Sequence, residues 1–361
     1  MPHLARTGRR RSRRRVGFES GPLTGTLGAR AAPCDAKARV TARVLELLTS
    51  SHSRKGSLQQ CDYPKLVVAM RASLERSVRA GAPVGLTLMA FPFKVPNPAK
   101  VGGRMLPDFA ELAAIRRLSA LAGRLRAFYR PGLQVELIHD GALIAPAFGV
   151  TEEEVRAYER YFAGLLARAD EGGAIRPHDF EQLQGKAGLR PEPVIDRFRD
   201  EAIQWWRTAR GTPSWRERFG KTLGMLNLRD LPAAEAAGML AAGRDGALPS
   251  EFGEVEQRVH QAMIAYHALD TLIHRLDPRP LLFPDAIHAT TRVQPRRLAL
   301  WLVRRGNGLL PWHGVGTLDG EGRAGVAIAE RVMSRPDMSP LTLPAETTPF
   351  CYIAAGSAAD P

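Results

Sequence analysis

The chain has 361 residues, 44% of them hydrophobic and 24% charged, a composition that supports a packed core and excludes wholesale disorder. That length suits one large domain or two ordinary ones. The net charge is +14, but Arg6, Arg9, Arg10, Arg11, Arg13, Arg14 and Arg15 stand unopposed at the start, so the 346 residues after Arg15 carry only +7.

A tail of this kind can bind nucleic acid or anionic lipid through counterion release, and its Arg-rich, acid-free character also suits an organelle transit peptide. It lacks the aromatic and turn pattern that would organise a nucleic-acid site. Residues 1–36 therefore read as a disordered basic extension, with nucleic acid not expected as a partner. No apolar run is long enough to span a membrane, and the first residues lack the apolar core of a secretory signal. Cys34, Cys61 and Cys351 are far apart and fall in no CxxC spacing. This argues against a disulfide framework and against zinc, and points to a reducing, cytoplasmic compartment.

Apolar residues recur at helical spacing over about 38–49, where Val40, Val44, Leu45, Leu47 and Leu48 share one side. They do so again over about 64–79, with Leu66, Val67, Met70, Leu74 and Val78, and Gly81-Ala82-Pro83 ends that helix. The run from Val84 to Phe91, bounded by prolines, reads as a buried strand. Phe91 to Arg104 is a loop. Asp108 followed by Glu111 forms a capping box for a helix with Phe109, Leu112, Ile115, Leu118, Leu121, Leu125 and Phe128 on one stripe. Val135 to Ile138 is a second strand. Thr151 with Glu154 caps a helix carrying Val155, Tyr158, Phe162, Leu165 and Leu166. Residues 171–250 show short helices and Gly/Pro breaks; a long helix follows at about 251–276, then strands at 286–291, 298–304 and 323–329. The strand–helix–strand–helix order predicts an α/β fold with an open, mostly parallel, Rossmann-like sheet flanked by helices. The expected organisation is the tail at 1–36, a core at 37–250, and a C-terminal helix and strands over 251–361 that complete or cap the core.

Three segments carry candidate chemistry. Phe91-Pro-Phe-Lys94-Val-Pro-Asn97-Pro-Ala-Lys100 lies where a buried strand exits, the place where open α/β sheets bind ligands. Its prolines preset the loop, and Lys94, Lys100, Arg104 and Asn97 together can hold a phosphate or carboxylate; the alternative is a rigid surface turn with solvated lysines. His139-Asp140-Gly141 ends the next strand, where a carboxylate can orient an amine or act as a base; Asp-Gly is equally a hairpin turn. His313, in Trp312-His313-Gly314, and His288 are candidates for proton transfer or for packed core positions. His260, His267 and His274 recur every seven residues, a rise of about 10.5 Å, too far for two of them to share a metal. Tight metal spacings, GxGxxG, Walker A and GxSxG are all missing from the sequence, and no metal site is expected.

Taken together, Ala90 to Val101, Leu106-Pro-Asp108, Asp140-Gly141, Gly149-Val150 and Tyr158 resemble, in order and spacing, the isonitrile synthase (pyoverdine/dityrosine biosynthesis) family. Phe283-Pro-Asp-Ala-Ile287 and Leu310-Pro-Trp-His-Gly-Val315 are similar to its C-terminal blocks. The resemblance implies a Rossmann-like core and conversion of the amine of tyrosine or tryptophan to an isonitrile. Ribulose 5-phosphate supplies the added carbon as co-substrate, without a metal or organic cofactor. It further implies a downstream iron/2-oxoglutarate oxygenase as a functional partner. Lys94, Asn97, Lys100 and Asp140 fall on family motif positions. The chain departs from the family after Asp-Gly, where Ala142-Leu-Ile-Ala-Pro146 replaces a block containing Arg and Ser-Asp. It departs again at His288 to Pro295, which replaces Arg-Leu-Ser-Ile-His-Pro. Arg292 and His139 are the expected compensating groups. On this reading Lys94, Asp140, His139, His313 and His288 are catalytic, and Asn97, Lys100, Arg104 and Arg292 bind substrate. A changed amino-acid or sugar-phosphate reaction and a catalytically silent scaffold are the alternatives.

Overall fold

The computed structural model describes residues 33–57, 59–190, 192–303 and 308–355. The expectation for the tail up to residue 32 lies outside the described residues. The first helix, α1 (Pro33–Thr49), begins earlier than its apolar stripe suggests, and α2 (Tyr63–Ala80) packs against it. Gly81 closes α2 with φ 65°, a left-handed cap that suits glycine.

Strand β1 (Val84–Met89) follows, then the short α3 (Pro98–Val101), α4 (Phe109–Arg126), β2 (Leu133–His139), α5 (Gly141–Ile144), α6 (Glu152–Ala169) and β3 (Ile175–Asp179). Both expected capping boxes are present, with Asp108 and Glu111 at α4 and Thr151 and Glu154 at α6. Behind those caps the predicted stripes are buried: Ile115, Leu118, Leu121 and Leu125 on α4, and Val155, Tyr158, Phe162, Leu165 and Leu166 on α6. Each large apolar side chain so buried contributes about 1.5–3 kcal/mol.

The segment read only as short helices holds α7 (Phe180–Lys186), α8 (Glu192–Ala209), α9 (Pro213–Leu223) and α10 (Ala233–Ala242). It also holds β3, which the sequence concealed because Arg176, Pro177 and His178 give an edge strand no apolar alternation. The long α11 (Gly253–Arg275) and the single turn α12 (Arg279–Leu282) lead to β4 (Ile287–Thr290) and β5 (Leu298–Ala299). The core sheet has the order β3-β2-β1-β4-β5, with every pairing parallel. The chain runs outward from β1 to β2 and β3, then returns to β4 on the other side. β1 and β4 thus flank the topological switch point, where a crevice opens at the strand ends.

The C-terminal part differs from expectation. The strand foreseen at 298–304 is only two residues long, and Leu300 already bridges to Arg54. A second sheet, β7-β6-β9-β8, is formed by β6 (Val315–Leu318), β7 (Ala324–Ala327), β8 (Met338–Leu341) and β9 (Cys351–Ala354), with α13 (Ala329–Met333) inserted. Four-residue strands carry too few alternations to be read from sequence. This sheet docks on α4: Gly316 lies so close that a Cβ would stand 2.6 Å from Ala110 N. Among the described residues no helix is long and apolar enough to cross a membrane.

Asp140-Gly141 does not form a hairpin; it starts α5 directly after β2. A Cβ on Gly141 would meet the Pro92 carbonyl oxygen at 2.0 Å, a backbone atom that cannot swing aside. Gly141→Ala is therefore expected to cost about 1–3 kcal/mol, read as a lower urea midpoint at unchanged slope; an unchanged midpoint would reject this close approach.

Candidate active site

The loop leaving β1 is fixed by a buried ion cluster. Lys94 is fully buried; its Nζ lies 2.9 Å from Asp108 Oδ2 and 3.0 Å from Glu111 Oε2. It also donates to the Pro311 carbonyl at 3.1 Å. Asp108 Oδ1 accepts from Ala110 N, and Asp108 Oδ2 accepts from Gly316 N at 3.2 Å. Glu111 accepts from Asp108 N and from the Tyr158 hydroxyl. Burial pushes the Glu111 carboxyl up to about 7; Lys94 opposes that shift and Asp108 adds to it. The ammonium hydrogens of Lys94 are all engaged, so the expectation that Lys94 grips a ligand is corrected: it positions the loop.

Arg104 is corrected in the same way. Its guanidinium is committed to the Pro107 carbonyl, Glu346 and Thr348, and lies over the Tyr161 and Phe350 rings. Asn97 caps α3, its Oδ1 accepting from Ala99 N at 3.1 Å, and is fully buried. Its Nδ2 has no partner among the described residues. His139 is buried against Phe162, and its Nδ1–H donates to the Phe91 carbonyl at 2.9 Å. That bond secures a strained residue, since Phe91 has φ 59°. Burial holds His139 below the usual imidazole value, hence neutral. His288 sits on β4 with Nδ1 2.8 Å from Thr87 Oγ1. Neither His139 nor His288 lines the crevice, so the structure does not bring them to the other candidates.

The crevice consists of three adjoining lobes, and Arg292 lines all of them. One lobe lies at the ends of β1, β2 and β4, against Met89, Asp140, Ala289 and Thr290, and is closed from α11 by Tyr266 and Asp270. The second runs between α9 and α11, past Arg218, Lys221 and Thr222. The third is lined by Lys55, Lys100, Lys221, Arg292 and His313 together with Met225, Val293, Leu309 and Leu310, with no acidic side chain among the described residues of its wall. Arg292 makes no side-chain hydrogen bond or ion pair among the described residues. Burial pushes the Asp140 carboxyl up to about 6, with Arg279 and Arg292 opposing the shift. Burial, and then Lys100, Arg292 and Lys94, hold His313 well below the ordinary imidazole value. Burial alone pulls Lys100 down to about 8.

The structure therefore gathers Asp140, Lys100, Arg292 and His313 around one crevice. It adds residues that sequence reasoning missed: Lys55, Lys221, Arg218, Tyr266 and Asp270. Tyr266 and Asp270 carried a usable signal, being one turn apart on a helix that was read for its histidines alone. His267 from the same helix stacks on Trp205 at 4.3 Å between centroids and accepts from Arg218 at 2.9 Å, so it supports the wall. Among the described residues no cluster of His, Cys, Asp or Glu has the geometry to hold a metal.

Residues 74–201 match the family described as "Pyoverdine/dityrosine biosynthesis protein". The L-tryptophan isonitrile synthase AmbI2 of Fischerella ambigua is 35% identical over 89 residues, covering 25% of this chain and 27% of that protein. The L-tyrosine isonitrile synthase of Xenorhabdus nematophila is 35% identical over 89 residues, covering 25% of this chain and 26% of that protein. The matched segment thus spans about a quarter of these relatives. The crystal structure of PvcA from Pseudomonas aeruginosa superposes with a TM-score of 0.59 at 21% identity, covering 87% of this chain and 99% of PvcA. That likeness establishes a shared fold.

Lys94→Met would leave two carboxylates buried without their cation. We expect it to lower stability by about 3–5 kcal/mol in urea unfolding. Because a raised Glu111 carboxyl binds its proton in the folded state, the deficit should shrink as pH falls through about 7. An unfolding curve identical to that of the parent would contradict the positioning role.

Proposed function

We propose, from the match of residues 74–201 to the pyoverdine/dityrosine biosynthesis family, that this chain is an enzyme of the isonitrile synthase type, acting in specialised metabolism. It converts the amine of an amino acid to an isonitrile, with ribulose 5-phosphate as carbon donor and no metal or organic cofactor. The observation that carries this reading is the crevice at the switch point. A lobe whose only charged lining residues, among the described residues, are cations adjoins a lobe holding the Asp140 carboxylate, which accepts from no other residue among the described residues. Such a pair suits one phosphorylated substrate and one amine.

Arg292, Lys55 and Lys221 hold the phosphate, Arg292 by its planar fork and the lysines as point charges. Asp140 receives the amino acid's ammonium. At neutral pH its carboxyl, raised to about 6, is ionised and still basic enough to accept the proton that frees the amine. The free amine then becomes bonded to C2 of the sugar phosphate as an imine, the carbonyl oxygen leaving as water. His313, kept neutral, is the group that can carry the proton at the sugar end. The product passes to an iron/2-oxoglutarate oxygenase, as the family resemblance implies.

The amino acid itself has a second reading. The lobe around Asp140 is lined by Asp270, His274, Gln294 and Arg297 as well as Tyr266. Those polar walls favour a substrate with a polar side chain over tyrosine or tryptophan.

The test is incubation with ribulose 5-phosphate and the pooled amino acids, read by mass spectrometry. A product with one carbon more and two hydrogens fewer than an amino acid is expected, and its mass names the substrate. No such product, together with no thermal shift from ribulose 5-phosphate, would overturn the reading. Arg292→Ala should raise the KM for the sugar phosphate about 10- to 100-fold, the worth of a lost charged hydrogen bond. The kcat/KM profile should fall below a pH of about 6 as Asp140 takes a proton, and Asp140→Asn should be inactive across the range.

A further inference from the structure

Three lysines line the cation lobe, and they are not equivalent. Lys221 is exposed and paired with Glu217 on its own helix. Lys55 donates to the carbonyls of Thr291 and Gly308, each at 3.3 Å, and lies over the Trp301 ring. Lys100 is partly buried and makes no side-chain hydrogen bond or ion pair among the described residues. It projects from α3, whose start is capped by the buried Asn97. Space for its amine is left by a glycine: a Cβ on Gly224 would stand 2.5 Å from Lys100 Nζ and 3.0 Å from Lys100 Cε. His313 lines the same lobe, also without a side-chain hydrogen bond among the described residues. A lysine held in place for its charge normally has an anion or a ring of acceptors beside it. Lys100 shares its lobe with cations and a neutral imidazole instead, and its burial there favours the free amine.

We propose that Lys100 is a covalent catalyst: its amine forms an imine with the C2 carbonyl of the keto sugar phosphate and passes that carbon to the amino-acid amine by transimination. The proposal rests on the reading of this crevice as a sugar-phosphate site. The Nζ lone pair adds to the carbonyl carbon, and one proton moves from nitrogen to the new alkoxide, giving a carbinolamine. His313, neutral at rest, takes the remaining proton from nitrogen and delivers it to the hydroxyl, which leaves as water as the C=N bond forms. The substrate amine adds to the same carbon, and Lys100 departs as a neutral amine. No oxidant or reductant is consumed. The gain is electrophilicity: an imine nitrogen is basic enough to take up a proton from solvent, and the protonated imine accepts a second amine more readily than a ketone does. The phosphate, gripped by Lys55, Lys221 and Arg292, keeps the carbonyl at the amine throughout.

The experiment is borohydride trapping of the full chain with ribulose 5-phosphate, followed by intact-mass measurement and peptide mapping. The expected result is a single adduct on the peptide containing Lys100, with the mass of the sugar phosphate less one oxygen atom (water lost, two hydrogens gained). Its rate of formation should rise with pH through about 8 as the free amine grows. Lys100→Arg keeps the cation but cannot form an imine, and should lose both adduct and turnover. Gly224→Ala, where the helical backbone at φ −67° tolerates alanine, should stay folded and lose the adduct by displacing the amine. Amino-acid product is assayed in the same tubes. Product without an adduct, an adduct confined to Lys55 or Lys221, or a Lys100→Arg variant that still turns over would each overturn the covalent role while leaving the proposed function standing. An adduct on Lys100 without isonitrile would support the covalent role and overturn isonitrile synthesis.

Discussion

The structure depends on one buried cation. Lys94 carries its charge to a place without water and is neutralised there by Asp108 and Glu111, which belong to the cap of a different element. A lone charge so buried would be prohibitive, so the three groups can be buried only together. Because Lys94 comes from the loop after β1, the two acids from the start of α4, Tyr158 from α6, and Pro311 and Gly316 from the C-terminal part, satisfying the charges joins four stretches of chain. The geometric requirement is strict in a way that apolar packing is not: each donor needs its own acceptor. This explains a lysine, an aspartate and a glutamate at fixed places beside a proline-stiffened loop by their contacts with one another.

What the cluster holds is the rim of the crevice. With the β1 loop tied down on one side, α3 presents Lys100 toward the cation lobe, and the Pro311–His313 turn brings His313 to the same wall. On the other side β4 ends at the switch point, and the chain beyond it delivers Arg292. The two blocks in which this chain departs from the family it resembles behave differently. The residues after Gly141 form short helical turns, and Leu143, Pro146 and Ala147 line an apolar groove apart from the crevice. The block at 288–295 supplies the cation shared by all three lobes.

The electrostatics of the crevice follow from desolvation more than from pairing. Asp140 is raised, Lys100 lowered and His313 lowered, and in each case burial is the leading cause. Groups displaced in this way lie closer to neutrality than their exposed counterparts, which is what proton transfer and nucleophilic attack require. Arg104 is the contrast: it is buried as deeply, but Glu346 keeps it charged and engaged. The two environments separate residues that hold the fold from residues free to do chemistry.

By itself the sequence determined the elements around β1, α4, β2 and α6, because their signals are local: a continuous apolar run, a capping box, a stripe at helical spacing. It also carried the resemblance to the pyoverdine/dityrosine biosynthesis family, because the motif from Phe91 to Lys100 with Asp108 and Asp140-Gly141 is specific in order and spacing. It could not separate the roles inside that motif. Lys94 and Lys100 are both lysines of one loop, and only the path of the chain sends the first into an ion cluster and the second to the crevice. Nor could it show that Tyr266 and Asp270 from α11, or Arg292 from beyond β4, would meet Asp140, since those encounters are set by the order of strands in a sheet. The edge strand β3 and the second sheet escaped notice because short, polar strands bury too little to leave a pattern. Local signals fix local structure; which charges end up paired, and which are left to meet a ligand, is decided by contacts between residues far apart in the chain.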